Sequence, residues 1–109
     1  MNKFVFLASV LAVLTVYAPK AQATSGPGCL YVVNVANWDK LNMRSGPSAR
    51  SRVVGRLSPR GHGIIRLNGK CIPLNKKWSS RWCPVTEFNG NSTNSGWVKA
   101  RFIRDSQCP

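Results

Sequence analysis

Few residues in this 109-residue chain are equipped for covalent chemistry. Glycan hydrolysis takes two carboxylates flanking one bond. Asp39, Glu87 and Asp105 are the only acids and lie far apart in sequence, better suited as charge partners on a basic surface. A cysteine nucleophile needs a free thiolate beside a base. Cys83 with His62 is the one combination on offer, and it requires Cys83 to be unpaired. Zinc is poorly supplied too, since there is no Cys-x-x-Cys and the single His62 stands between two glycines. The stretch "LNMRSGPS", residues 41–48, gathers Arg, Ser and Gly. A phosphate-binding loop needs Gly-x-x-x-x-Gly-Lys entering a helix, so this stretch reads as a corner between extended segments. The expectation is a protein without catalytic residues, metal or cofactor.

Binding chemistry is better represented. Trp97, Lys99 and Arg101 alternate with Val98, Ala100 and Phe102, which on a strand sets a basic-aromatic row opposite an apolar one. Such a row is either a recognition face, where an indole stacks and cations hold acidic groups, or a tryptophan capping the core beside solvated charges. Asn42 and Arg44 alternate with Leu41 and Met43 in the same way and leave an exposed polar face. Trp38 and Trp78 fall in polar stretches, where they either fold back over the core or touch a ligand. Arg50, Arg52 and Arg56 recur at even spacing and fit a solvated edge, which also deters edge-to-edge aggregation.

Compartment and size follow from the ends of the chain and its cysteines. Lys3, the apolar run Phe4–Ala18 and the small residues of "AQA" at 21–23 have the layout of a signal peptide cleaved after Ala23. The alternative, an uncleaved anchor, wants ~20 apolar residues, and Pro19 ends the run early. Residues 24–28, "TSGPG", read as a loose tether and 29–109 as one small domain. A domain this small buries only about 60% of its unfolded surface and gains from covalent staples. Cys29, Cys71, Cys83 and Cys108 allow three pairings. We take Cys71–Cys83, closing a short loop, and Cys29–Cys108, tying the domain's ends. Removing Lys3 and Lys20 with the leader takes the formal charge from +13 to +11, an excess that attracts anionic polymers or surfaces. In an exported protein, nucleic acid is not the physiological partner.

The elements that must position these residues are short and extended. "CLYVVNV" (29–35), "LNMR" (41–44), "SRVVGRL" (51–57), "GIIRL" (63–67), "RWCPVTEF" (81–88) and "WVKARFI" (97–103) are β-branched or alternating, and no amphipathic helix competes. Asn68–Gly69 suits a tight hairpin turn into "KCIPL", where Pro73 restricts pairing, and "NGNSTNSG" (89–96) reads as a long turn. The fold class is all-β: a small disulfide-stapled barrel of about five to seven strands.

In order along the chain, "LNMRSGPS", "VVGRL", "GHGIIRL", "RWCPV" and "GWVKARFI" resemble the bacterial SH3 domain, from about Val32 to Ile103. The Cys71…Trp82-Cys83 arrangement is similar to that of small periplasmic or secreted members, in which the two cysteines bridge neighbouring strands. The chain departs from the family pattern by a lengthened segment between Cys71 and Trp82 and by "NGNSTNSG" ahead of Gly-Trp.

The expectation is a non-catalytic, monomeric binding module of the periplasm or exterior, and the resemblance implies peptidoglycan, another wall polymer or an envelope protein as its partner. Its site is expected in a shallow groove between the lengthened segments, with Trp38, Trp78, Trp82 and Trp97 as lining and Arg44, Lys99 and Arg101 attracting acidic groups. Two other readings stay open: a secreted effector or inhibitor acting on a host protein, and charge-driven adhesion to polyanions or membrane surfaces.

Overall fold

The computed structural model describes residues 28–109, so the expected signal peptide and residues 24–27 of the tether lie outside the described residues. The described chain forms β1 (Gly28–Val32), β2 (Leu41–Arg44), β3 (Val53–Leu57), β4 (Ile64–Leu67), β5 (Trp82–Asn89), β6 (Ser92–Lys99) and β7 (Ile103–Gln107). Two single turns of 3₁₀ helix, Trp78–Ser80 and Ala100–Phe102, complete it. All seven strands join one antiparallel sheet in the order β3-β2-β6-β5-β4-β1-β7. Gly28, placed by sequence at the end of the tether, already pairs with Gln107.

The sheet is curled rather than flat. Laid out at ~4.8 Å per strand, seven strands would hold their edges about 29 Å apart. Yet every strand feeds one core: Leu30 and Val32 from β1, Leu41 and Met43 from β2, Leu57 from β3 and Ile65 from β4. Val85, Val98 and Ile103 come from the last three strands, with Cys71, Cys83 and Ala100 filling between them. The side-chain amide of Asn94 on β6 reaches past β2 to donate to the Val54 carbonyl on β3, at 3.0 Å. This is the small all-β architecture expected from the alternating segments.

One close approach depends on a glycine. A Cβ on Gly96 would stand 2.5 Å from Met43 Cγ and 2.8 Å from the Arg44 carbonyl oxygen. The absent side chain is what lets β6 lie against β2 with Met43 wholly buried between them. Gly96→Ala is expected to lower the unfolding free energy by about 2–3 kcal/mol, because backbone as well as side chain must retreat. Urea denaturation checks this; an unchanged midpoint would mean that Met43 has room to yield.

Both disulfides chosen from sequence are present, Cys29–Cys108 across β1 and the chain's end and Cys71–Cys83 from the long loop into β5. Several local readings need correction. Asn68–Gly69 does not close a hairpin: the Asn68 amide donates to the Pro84 carbonyl at 2.8 Å, carrying β4 onward beside β5. "KCIPL" is no strand, and only Ile72 pairs, in an isolated bridge to Trp82. "NGNSTNSG" is mostly strand, with a turn at Gly90 and Asn91 for which Gly90 supplies φ +63°. Its composition misleads because this end of the hairpin is solvated, while the facing strand imposes the register.

The "WVKARFI" strand ends at Lys99. Ala100 turns inward, its amide donating to the Arg81 carbonyl at 2.9 Å, so Arg101 sits on a 3₁₀ turn rather than a strand. The polar segment "IRDSQ", which carries no strand pattern, becomes β7 because β1 pairs along all of it.

Candidate functional site

The outer faces of β2, β5 and β6 meet the loop between β1 and β2 around an open groove of about 440 Å³, a size suited to a small ligand or one or two units of a polymer. Its floor comes from strand register. Trp82 on β5 lies directly opposite Lys99 on β6, and the Lys99 ammonium sits 5.1 Å from the Trp82 ring centroid. An ammonium over an indole face is a cation–π contact, which holds both groups toward the groove.

Arg44 supplies one wall. It ends β2 opposite Trp97, and its Nη1 donates to the Ser51 carbonyl at 3.0 Å. A guanidinium carries five N–H donors, so that single anchor aims the group without exhausting it. Arg101 supplies another wall from the 3₁₀ turn, with Nε donating to the Ser79 carbonyl at 3.2 Å. Asn34 locks the same corner. It adopts φ +58°, the left-handed region that asparagine tolerates better than most residues, and its side-chain amide donates to the Arg101 carbonyl at 2.9 Å.

Lys40 also lines the groove, so four cations (Lys40, Arg44, Lys99 and Arg101) face a single carboxylate, Asp39. Asp39 Oδ1 accepts from the backbone amide of Lys40 at 2.8 Å, which partly occupies it within its own loop. Asn42 and Phe102 add an amide and an aromatic side chain to the lining. The groove therefore offers an indole, a phenyl ring and excess positive charge. That set stacks on apolar faces and holds carboxylates or phosphates.

Of the residues expected at the site, Arg44, Trp82, Lys99 and Arg101 come together here, whereas Trp38, Trp78 and Trp97 do not line this groove. Trp38 is 89% exposed, and Trp78 opens the 3₁₀ turn in the loop that follows β4. Trp97 is half-buried beside Pro84. Sequence reasoning passed over Lys40 and Asn34. The signal for Asn34 was an Asn interrupting a run of valines, since asparagine is enriched among left-handed residues.

The imagined Cys–His pair is absent. Cys83 is bonded to Cys71, and His62 Nδ1 lies 2.7 Å from the Gly63 carbonyl with Nε2 3.4 Å from the Val32 amide, a role in backbone support. No cluster of three or more metal-ligating side chains occurs among the described residues.

Fold and groove together define a small, disulfide-stapled all-β domain with a basic, aromatic-floored surface cleft. The family model described as "Bacterial SH3 domain" matches residues 39–104, and the chain belongs to that family. Comparison with curated proteins and with solved structures gives no match to either.

Proposed function

We propose that this bacterial SH3 domain is a non-catalytic binding module acting outside the cytoplasm, with peptidoglycan as the ligand of its groove. Family membership supports the general role, because bacterial SH3 domains commonly bind cell-wall polymers. Two disulfides support the compartment, since such bonds persist where the medium is oxidising. The observation that carries the choice of ligand is the Trp82–Lys99 pair flanked by Arg44 and Arg101. Wall glycan presents apolar sugar faces to an indole, and its peptide stems present carboxylates to cations within the span of one such groove.

The test is co-sedimentation of the folded domain with purified sacculi, repeated at 0.5 M salt. Most of the protein is expected in the pellet at 0.15 M salt, and a substantial fraction at 0.5 M, because stacking survives screening that shortens Coulomb interactions to a few ångströms. Protein left wholly in the supernatant under both conditions would reject wall binding and point to a protein partner. Loss of all binding at 0.5 M would reduce the interaction to charge alone.

A further inference from the structure

The loop joining β4 to β5 has features that the groove does not use. It is pinched shut at its base, where the amides of Ile72 and Trp82 each donate to the other's carbonyl at 2.8 and 2.7 Å, and the Cys71–Cys83 bond crosses beside them. Within it, Arg81 turns back, with Nε donating to the Lys76 carbonyl at 2.8 Å and Nη2 to the Leu74 carbonyl at 3.0 Å. Further backbone bonds join Lys76 to Pro73 and Ser80 to Lys77. Backbone acceptors are thus satisfied internally while the side chains are pushed outward. Leu74 is 58% exposed, Trp78 45% and Ile72 36%. Lys70, Lys76 and Lys77 belong to the same stretch of chain, all exposed, and no acidic residue occurs anywhere between Asp39 and Glu87.

We propose that this loop is a membrane-docking tip for an anionic lipid leaflet, with Leu74 and Trp78 entering the headgroup–acyl boundary and Lys70, Lys76 and Lys77 resting on lipid phosphates. A soluble polyanion satisfies the lysines and leaves the leucine and indole in water. A lipid interface satisfies both, because indoles favour the headgroup level and apolar tips gain by burial beneath it. The braced loop adds to this: its backbone has little freedom left to lose on docking. The Arg101–Ser79 hydrogen bond joins the loop to the rim of the groove, so docking would hold the groove close to the membrane surface.

Residues 24–109, which contain every described element, are to be mixed with vesicles of 30 mol% phosphatidylglycerol in phosphatidylcholine and, separately, with pure phosphatidylcholine. Flotation is expected with the anionic vesicles and not with the neutral ones. Leu74→Ser with Trp78→Ser is expected to weaken partitioning by at least ~10-fold. Replacing Lys76 and Lys77 by Gln is expected to weaken it by ~5-fold for each charge removed. Bromine-labelled acyl chains should quench tryptophan emission in the wild type and quench it less in Trp78→Phe. Three results would overturn the proposal: no flotation with anionic vesicles by a protein whose circular dichroism shows it folded, equal flotation by the Leu74/Trp78 variant, or an equal loss by that variant in binding to soluble heparin.

Discussion

Treated with excess reductant at neutral pH and 37 °C, the domain is expected to unfold cooperatively, with its sheet signal and tryptophan emission changing together. Cys29–Cys108 joins residues 79 apart and Cys71–Cys83 residues 12 apart. On the chain-entropy model these restrict the unfolded chain by about 4.5 and about 3 kcal/mol. A domain of some eighty residues typically has about 4–12 kcal/mol in hand altogether. Losing both bridges therefore removes most or all of the margin. Variants separate the two contributions. Cys29→Ser with Cys108→Ser should lower stability more than opening the shorter loop by selective reduction. Alanine at Cys71 and Cys83 is a poorer comparison, since both sulfurs belong to the core and their removal costs packing as well. Reduced protein that keeps its oxidised unfolding midpoint would show that the core suffices alone.

Trp82→Ala is expected to weaken binding to sacculi by about 10- to 100-fold, the usual consequence of truncating a central aromatic anchor. The loss has two sources. The stacking surface disappears, and the Lys99 ammonium loses the ring that holds it at 5.1 Å. Lys99→Ala should cost less, about 3- to 5-fold, because the indole remains and the cation is only half-buried. The double variant distinguishes the mechanism. If ring and ammonium act as a unit, Trp82→Ala with Lys99→Ala should bind about as weakly as Trp82→Ala alone. Independent contributions would instead multiply. Because Trp82 also bridges to Ile72 through backbone groups, a thermal melt must accompany each binding curve. Wall binding undiminished by Trp82→Ala would place the ligand elsewhere on the domain.

The parts of the fold visible in sequence are those where one residue type has one good location. Leu41 and Met43 alternate with Asn42 and Arg44 because one face of β2 meets the core and the other meets water, and the burial of those four residues follows that alternation. The even cysteine count announced staples but left three pairings open, and the pair that closes a short loop and the pair that ties the domain's ends are the ones that form. The hairpin end Ser92–Asn94 and strand β7 were hidden for the opposite reason. Their side chains are largely solvated, so no periodicity records their conformation, and only the backbone of a neighbouring strand dictates it.

The site divides in the same way. Sequence alone determined an inventory for this protein: abundant cations, four tryptophans, three scattered acids and the ordered motifs of an SH3-like chain. Tertiary structure decided which of them meet. Register set Trp82 opposite Lys99 across seventeen positions, the turn at Ala100 moved Arg101 off the strand, and a left-handed Asn34 closed the corner around it. Trp38 and Trp78, equally conspicuous in sequence, fell outside the groove. Hydrophobic patterning reports which side of a strand is buried, because burial is local to each residue. Which exposed side chains share a cleft depends on strand pairing and chain reversal between distant segments, which no local pattern encodes.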